Sequence, residues 1–473
     1  MKSPLSSIGG SKYTLPLPTQ IIIGISLVAL GFTLVNIRTT YLFVLLAGLT
    51  ILPIFLTRLS VHLFAILLFL EIFLLGVFSK GTFTVLGLRA GFFDIFILIS
   101  TFVLFLRLRE RVSFKLLLPF MVYLLLFLLS VLFRPAIIES GTFYWQLLGV
   151  ENLLILILAL LIIESKQDAR ILLGGVAVLI SFVALYFLYR YWTNGQITFG
   201  GMEDRESLVT AFPLGSTYSN KNSMAAQILP AFIMLTVFAF ELKSRTVRVL
   251  AAVVAMLIFM VILTSASRGA AISAVGGTVF YLFVRFRSGR FSPVPLLIIG
   301  LVGVTLAVQT DQGQRMLDRL FGGEDTQETI LTDFNRMSLI RTSAELIKKH
   351  PVLGIGFDEQ NFMMENEKYN FSDKVWAHPH NSYLHMWVFG GTLTFLALLW
   401  VGIMLIIPIR RALRTNLDDP FLLAASAAVV GLLIDFATDR TFFIGPVSHL
   451  FFVLLASTSV YAGYLLKEDN LEE

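Results

Sequence analysis

The sequence predicts an all-α fold, a polytopic membrane bundle of about 12–14 transmembrane helices. Three observations carry that prediction. Of 473 residues, 56% are hydrophobic and 14% charged, against about 25% charged in an ordinary soluble domain. Mean hydropathy is +0.82. Apolar runs of bilayer length, or nearly so, recur along the whole chain. Such a composition excludes disorder, which needs low hydrophobicity and high charge. It also excludes a soluble globule, whose surface cannot be built from so few charges. With no cysteine, disulfides, thiolate chemistry and cysteine–metal sites are excluded.

The candidate spans, in order, are 20–36, 41–57, 61–79, 86–106, 116–133, 145–163, 171–189, 223–241, 247–266, 270–284, 293–309, 382–409, 421–438 and 446–465. Several are short, so about twelve crossings compete with about fourteen. The segment before Ile21 is polar and no small-residue cleavage site follows the first apolar run. It reads as a retained span, not a cleaved signal peptide.

Basic residues set the orientation. With the N-terminus cytoplasmic, the cytoplasmic loops hold Arg107, Arg109, Arg111 and Lys115; Lys166 and Arg170; Lys243, Arg245 and Arg248; Arg285, Arg287 and Arg290; Arg410, Arg411 and Arg414. The opposite short loops hold mostly single cations, such as Arg38, Lys80, Arg134, Arg268 and Arg440. Both termini are therefore expected in the cytoplasm. The net charge of +5 follows from topology, and no basic tract calls for nucleic acid.

Five segments result: N-terminal transmembrane helices (1–190), an extracytoplasmic loop (191–222), central helices (223–309), a long extracytoplasmic loop (310–381) and C-terminal helices (382–473). A loop as long as 310–381 is usually functional. Within it, Asn335 to His350 reads as an amphipathic helix with Met337, Ile340, Ala344 and Ile347 along its apolar face. Pro351 ends it, and a glycine-rich turn, LGIGF, follows.

Ionisable groups inside a bilayer are expensive and tend to be functional. Glu71, Arg89, Asp94, Glu151, Arg268 and Asp435 lie within or at the ends of spans, and most map to the outer half of the membrane. His380, Asp439 and Arg440 join them there. Snorkelling or buried ion pairs would explain any one of them. Their common depth favours one outward-facing polar site.

Several chemistries lack their residues. There is no phosphate-binding P-loop, no H-E-x-x-H, and no D-x-D pair to hold a metal–nucleotide-sugar complex. His378, His380 and His385 invite a metal reading, but His380 and His385 are five apart and do not share a helix face as an i, i+4 pair would. No metal or other cofactor is expected.

Two motifs carry chemistry. The first is Thr264-Ser-Ala-Ser-Arg268-Gly-Ala270, between two apolar runs. An arginine fork suits phosphate oxygens, and small neighbours let a substrate approach the backbone. The competing interpretation is a turn with a snorkelling arginine. The second is His378-Pro-His380-Asn381-Ser-Tyr383-Leu-His385-Met-Trp387, followed by Gly390-Gly391-Thr392-Leu-Thr394. Histidine titrates near neutral pH and can take a proton from a hydroxyl. Asn381 could orient that hydroxyl or the imidazole. The competing interpretation is a polar helix start with an interfacial Trp387.

At these residues the chain resembles the O-antigen ligase/polymerase family of bacterial envelope glycan enzymes. His380-Asn381, nine residues, Gly391, two residues and Thr394 follow the family's ligase-type pattern. Thr264–Ala270 resembles its S-R-G-A turn, and Ser219-Asn-Lys-Asn222 its asparagine-containing loop. Arg341 through Pro351-Val-Leu-Gly354-Ile-Gly356 resembles its arginine helix and glycine turn. The resemblance covers roughly residues 200–400; the first 190 residues match only in hydropathy.

The resemblance implies a metal-independent, membrane-embedded glycosyltransferase of the GT-C type in the cytoplasmic (inner) membrane, with its site on the extracytoplasmic side. The implied donor is an undecaprenyl-diphosphate-linked glycan. The implied acceptor is a sugar hydroxyl of lipid A-core for a ligase, or another carrier-linked chain for a polymerase. The histidine pattern favours the ligase; a protein acceptor is a third choice. On this resemblance His380 is the expected general base, with His378 as its rival. Arg268 and then Arg341 are expected to bind the diphosphate, with Arg336 as a fallback. Asn381, Tyr383 and Asn222 are expected substrate-positioning residues. Asp435 or Asp439 could orient a cation. A transporter or lipid flippase competes from another class, but it predicts charge near the midplane and repeated halves, which the sequence lacks.

Overall fold

A computed structural model describes residues 83–85, 88–90, 114–132, 143–194, 221–265, 267–289, 327–357, 359–368, 376–443 and 445–472, with isolated positions 301 and 305. The expected spans 20–36, 41–57, 61–79 and nearly all of 293–309 lie outside the described residues, as does most of the 191–222 loop. Apart from one short strand pair, the described residues form a helical, multi-pass membrane bundle, the expected all-α class.

Nine of the expected spans are helices. They are α1 (Phe114–Leu132), α2 (Phe143–Ile162), α3 (Lys166–Asn194), α4 (Lys221–Glu241), α5 (Arg245–Thr264), α6 (Arg268–Arg287), α9 (Ser382–Thr415), α10 (Pro420–Thr438) and α11 (Gly445–Glu472). Seven of them, α3 to α6 and α9 to α11, are long and apolar enough to cross a membrane. The span expected as 270–284 gains about half a turn at its start and almost a turn at its end. At 20 residues and about 1.5 Å per residue it reaches about 30 Å, a bilayer core. One expectation is corrected. The span placed at 86–106 does not begin as a helix, because Leu88–Ala90 (β2) pairs antiparallel with Phe83–Val85 (β1). Phe-Thr-Val, with an aromatic and two β-branched residues, suits a strand.

Helix α4 is the hub and is almost wholly buried; α3, α5, α6 and α10 pack around it. Small residues allow the closest approach. A Cβ on Gly277 of α6 would lie 2.8 Å from the Ala427 carbonyl of α10, and one on Gly431 would strike Ile233 of α4. Bilayer tails give helices no hydrophobic reason to associate, so close packing of this kind does the work. It draws the start of α6 to the end of α10.

The long loop contains α7 (Gln327–Lys349) and α8 (Glu359–Glu367). The helix is there, but the expected buried face is wrong. Met337 is 68% and Ile340 51% exposed, and Ala344 is also exposed. The buried stripe is Ser338, Leu339, Thr342, Ser343 and Leu346. Its hydroxyls are satisfied locally: Thr342 donates to the Ser338 carbonyl (2.9 Å) and Ser343 to that of Leu339 (2.7 Å). Asn366 of α8 then donates to Thr342 Oγ1 at 3.1 Å. Polar residues with partners could be buried, so hydropathy alone selected the wrong face.

A backbone clasp fixes this loop to α9. Helix α9 breaks at Gly391 (φ 74°, ψ 173°), freeing carbonyls before the break and amides after it. The Ile355 and Gly356 amides donate to Val388 O (2.9 Å) and Phe389 O (3.0 Å), and Thr392 N donates to Pro351 O (2.9 Å). Ser130 of α1 adds a bond to Phe389 O (3.0 Å). Gly354 and Gly391 both have positive φ, and a Cβ on either would meet the other segment's backbone at 2.5 Å or less. Only glycine fits both constraints.

Candidate active site

The site forms where α9 begins and α10 ends. Asn381 is the N-cap of α9; its Oδ1 accepts from Leu384 N at 3.0 Å, and its Nδ2 donates to the Ala437 carbonyl of α10 at 2.8 Å. Ser382 Oγ donates to the Asp439 carbonyl at 2.8 Å and accepts from Phe442 N at 3.2 Å. Tyr383 donates to Leu433 O at 2.7 Å. These bonds splice the two helix ends together. Asn381 and Tyr383, expected to touch substrate, thus each donate to a backbone carbonyl of α10.

His380 stands just outside α9 in the left-handed region, φ 49°. A non-glycine residue there is uncommon and is held by its surroundings. Its Nδ1 lies 3.1 Å from Asp439 Oδ1. A carboxylate only accepts, so Nδ1 carries a proton, and in the neutral ring Nε2 is then the nitrogen with the lone pair. Nε2 is buried and has no hydrogen-bond partner among the described residues. The Trp376 ring meets the imidazole edge-on at 4.6 Å, and His378 lies 4.3 Å away.

Asp439 is the hub of the network. Besides His380 it accepts from Asn222 Nδ2 (2.6 Å) and the Arg440 amide (2.7 Å). Burial pushes its carboxyl up, but the hydrogen bonds from His380, the Arg440 amide and Asn222 outweigh burial and hold it below the ordinary aspartate value. Asn222, expected at the substrate, steadies this carboxylate. Arg440 in turn donates to Glu359 of α8 at 2.6 Å, joining the loop helices to the site.

The other histidines differ. Burial holds His378 well below the ordinary histidine range, helped by Arg440 and the neighbouring imidazoles. His385 lies between the rings of Phe443 (3.9 Å) and Phe389 (4.1 Å), as a packing residue. Among the described residues no group of three histidine, aspartate or glutamate side chains is arranged to hold a metal.

Arg268 opens α6, with Ser267 as its N-cap. A cation at the positive end of a helix makes that end doubly attractive to an anion. The next residue, Gly269, packs so closely on α10 that a Cβ would lie 2.3 Å from Thr438 Oγ1. The arginine turn and the His380–Asp439 pair therefore meet at one helix end. Arg336 and Arg341 are exposed on α7, the helix that leads into the clasp with α9. Sequence reasoning missed Ser382, Trp376 and Glu359, and offered Asp439 only as one of two guesses. Proximity in sequence to His380 could have flagged Ser382 and Trp376; nothing local marks Glu359, which meets Arg440 only through the fold.

Residues 251–399 match the family described as O-antigen ligase. That match supports an O-antigen ligase-family assignment. No curated protein matches the chain. The matched stretch contains the arginine turn, the α7 helix, the clasp and His380, but not Asp439. The family implies a glycan-processing ligase or polymerase that acts on a lipid-linked glycan and an acceptor.

Proposed function

We propose that the protein transfers a glycan from an undecaprenyl-diphosphate carrier to a sugar hydroxyl of lipid A-core, without a metal, at the extracytoplasmic face of the inner membrane. The observation that carries this reading is His380: Nδ1 held by Asp439, Nε2 buried with no partner in the described protein. A buried polar atom of that kind calls for a partner from outside.

The steps follow. His380 Nε2 takes the proton of the acceptor hydroxyl as its oxygen bonds to the anomeric carbon. The bond from that carbon to the diphosphate oxygen breaks, and its electron pair leaves with the undecaprenyl diphosphate. Asp439 stabilises the imidazolium that forms. Arg268, at the start of α6, binds the diphosphate as its charge grows. Arg341, with Arg336 beside it, is the second arginine for this task on the exposed face of α7.

A groove of about 230 Å³ between α9, α10 and α11 supports a lipid donor. It starts at Ser382 and Tyr383 and runs along Met386, Leu399, Phe436 and Phe452, almost entirely apolar. It would take the first isoprene units while the rest of the carrier lies in the bilayer. The topology also fits: His380 is at one end of α9, and Arg410, Arg411 and Arg414 are at the other, on the side the positive-inside rule assigns to the cytoplasm.

The test uses the purified chain in proteoliposomes with carrier-linked repeat units. Transfer that appears only after lipid A-core is added supports the ligase. Growth of carrier-linked chains without core would identify a polymerase instead. Movement of the donor across the bilayer with no new glycosidic bond would overturn the transferase reading.

A further inference from the structure

The end of the bundle opposite His380 carries a second cavity, a crevice of about 730 Å³ between α6, α9 and α10. Its wall is apolar, with Phe280, Phe283, Ile406, Ile409, Val429 and Leu433. Its mouth carries three arginines, Arg287 from α6 and Arg410 and Arg414 from α9.

The charges there do not balance. Nearby carboxylates are engaged by other groups: Glu241 and Asp418 bind Arg285, and Asp419 binds Arg170 and Tyr461. Among the described residues no ion pair or hydrogen bond ties Arg287, Arg410 or Arg414 to a carboxylate; Arg287 lies over the Phe283 ring at 5.9 Å. A further polar group lines the crevice. Ser426 Oγ is buried and has no hydrogen-bond partner among the described residues. A helical serine usually bonds the carbonyl one turn back.

We infer that this crevice binds an anionic phospholipid of the bilayer, its phosphate on the three arginines and its acyl chains along the apolar wall. Guanidinium forks suit phosphate oxygens. The wall already faces the bilayer, since Phe283 is 57% and Ile406 37% exposed. Free phosphate would satisfy the arginines and leave that wall uncovered. Orientation alone requires basic residues in the loops, not three converging from two helices on one crevice. The crevice and the groove beneath Tyr383 share Ile406 and Leu433, so the lipid tails would pack beside that groove. The site does not depend on the transfer chemistry.

Native mass spectrometry of the full chain in detergent tests it, with titration by phosphatidylglycerol, phosphatidylcholine or inorganic phosphate. The wild type should retain phosphatidylglycerol in preference to phosphatidylcholine. Each arginine near an anionic headgroup is worth about 1 kcal/mol, so Arg410→Gln/Arg414→Gln should weaken phosphatidylglycerol by about tenfold or more. Val430→Trp keeps every charge but fills the crevice, and should also lose the lipid. Lys243→Gln/Arg245→Gln removes two exposed cations outside the crevice and should bind as wild type. Unchanged binding in both crevice variants overturns the site. So does an equal loss in the control pair, which would mean a general charge effect. Complete displacement of the lipid by inorganic phosphate would also overturn it, reducing the site to a phosphate contact.

Discussion

The two ends of the bundle treat charge differently. At the end where α6 finishes, Arg285 is saturated. It binds both oxygens of Glu241, Asp418 at 2.9 Å and the Leu417 carbonyl at 3.1 Å, while Tyr281 also donates to Glu241 at 2.6 Å. At the end where α9 begins, Asp439 is saturated but its partner His380 is not. The first arrangement closes on itself and can do no more than hold helices together. The second leaves one lone pair over, on a side chain whose other nitrogen is fixed. That remainder separates a reactive group from a structural ion pair, although both consist of buried charges at helix ends.

The largest expected effect tests that distinction directly. His380→Ala should lower transfer by about 10²–10⁴-fold, with the unfolding temperature near that of the wild type. Gly354→Ala comes next and acts on folding. The positive φ and the backbone approach together should cost roughly 2–5 kcal/mol, read as a lowered unfolding temperature in detergent. Arg285→Met should follow, at about 1–3 kcal/mol of stability. Transfer per folded molecule should be retained, because the saturated end does no chemistry. Lost turnover in folded Arg285→Met protein would erase the contrast between the two ends.

The smallest effect is on acid stability. Asp439 has a folded pKa below its ordinary value of 3.8. Its contribution is fully present above that value and is lost as pH falls through the lower folded pKa. Thermal unfolding across mildly acid to strongly acid pH should therefore show a steeper acid decline for wild type than for Asp439→Asn. Above about pH 5 the difference between the two should not change with pH.

Hydropathy made the spans legible, because bilayer length and apolar runs constrain each other. Residue type and spacing made His380 and Gly391 legible as a motif. What Gly391 does was hidden, since its partner Gly354 lies in another segment and the clasp exists only after both chain breaks dock. The buried face of α7 was misjudged for a related reason. Ser338, Thr342 and Ser343 become burial-competent only when the helix carbonyls and Asn366 bond them, and hydropathy counts them as polar. Asp439 was visible as a costly group but not as the partner of His380, which sits across two helix ends. Long-range polar pairing has no periodicity to read.

The central claim is that His380 is the base and Asp439 acts through it. A double-mutant cycle on transfer rate, with His380→Ala, Asp439→Asn and both together, tests it most directly. Losing one charge-assisted hydrogen bond should make Asp439→Asn alone about 10- to 100-fold slower, and the double variant should be no slower than His380→Ala. If the two losses multiply, Asp439 acts independently of His380 and the account is contradicted.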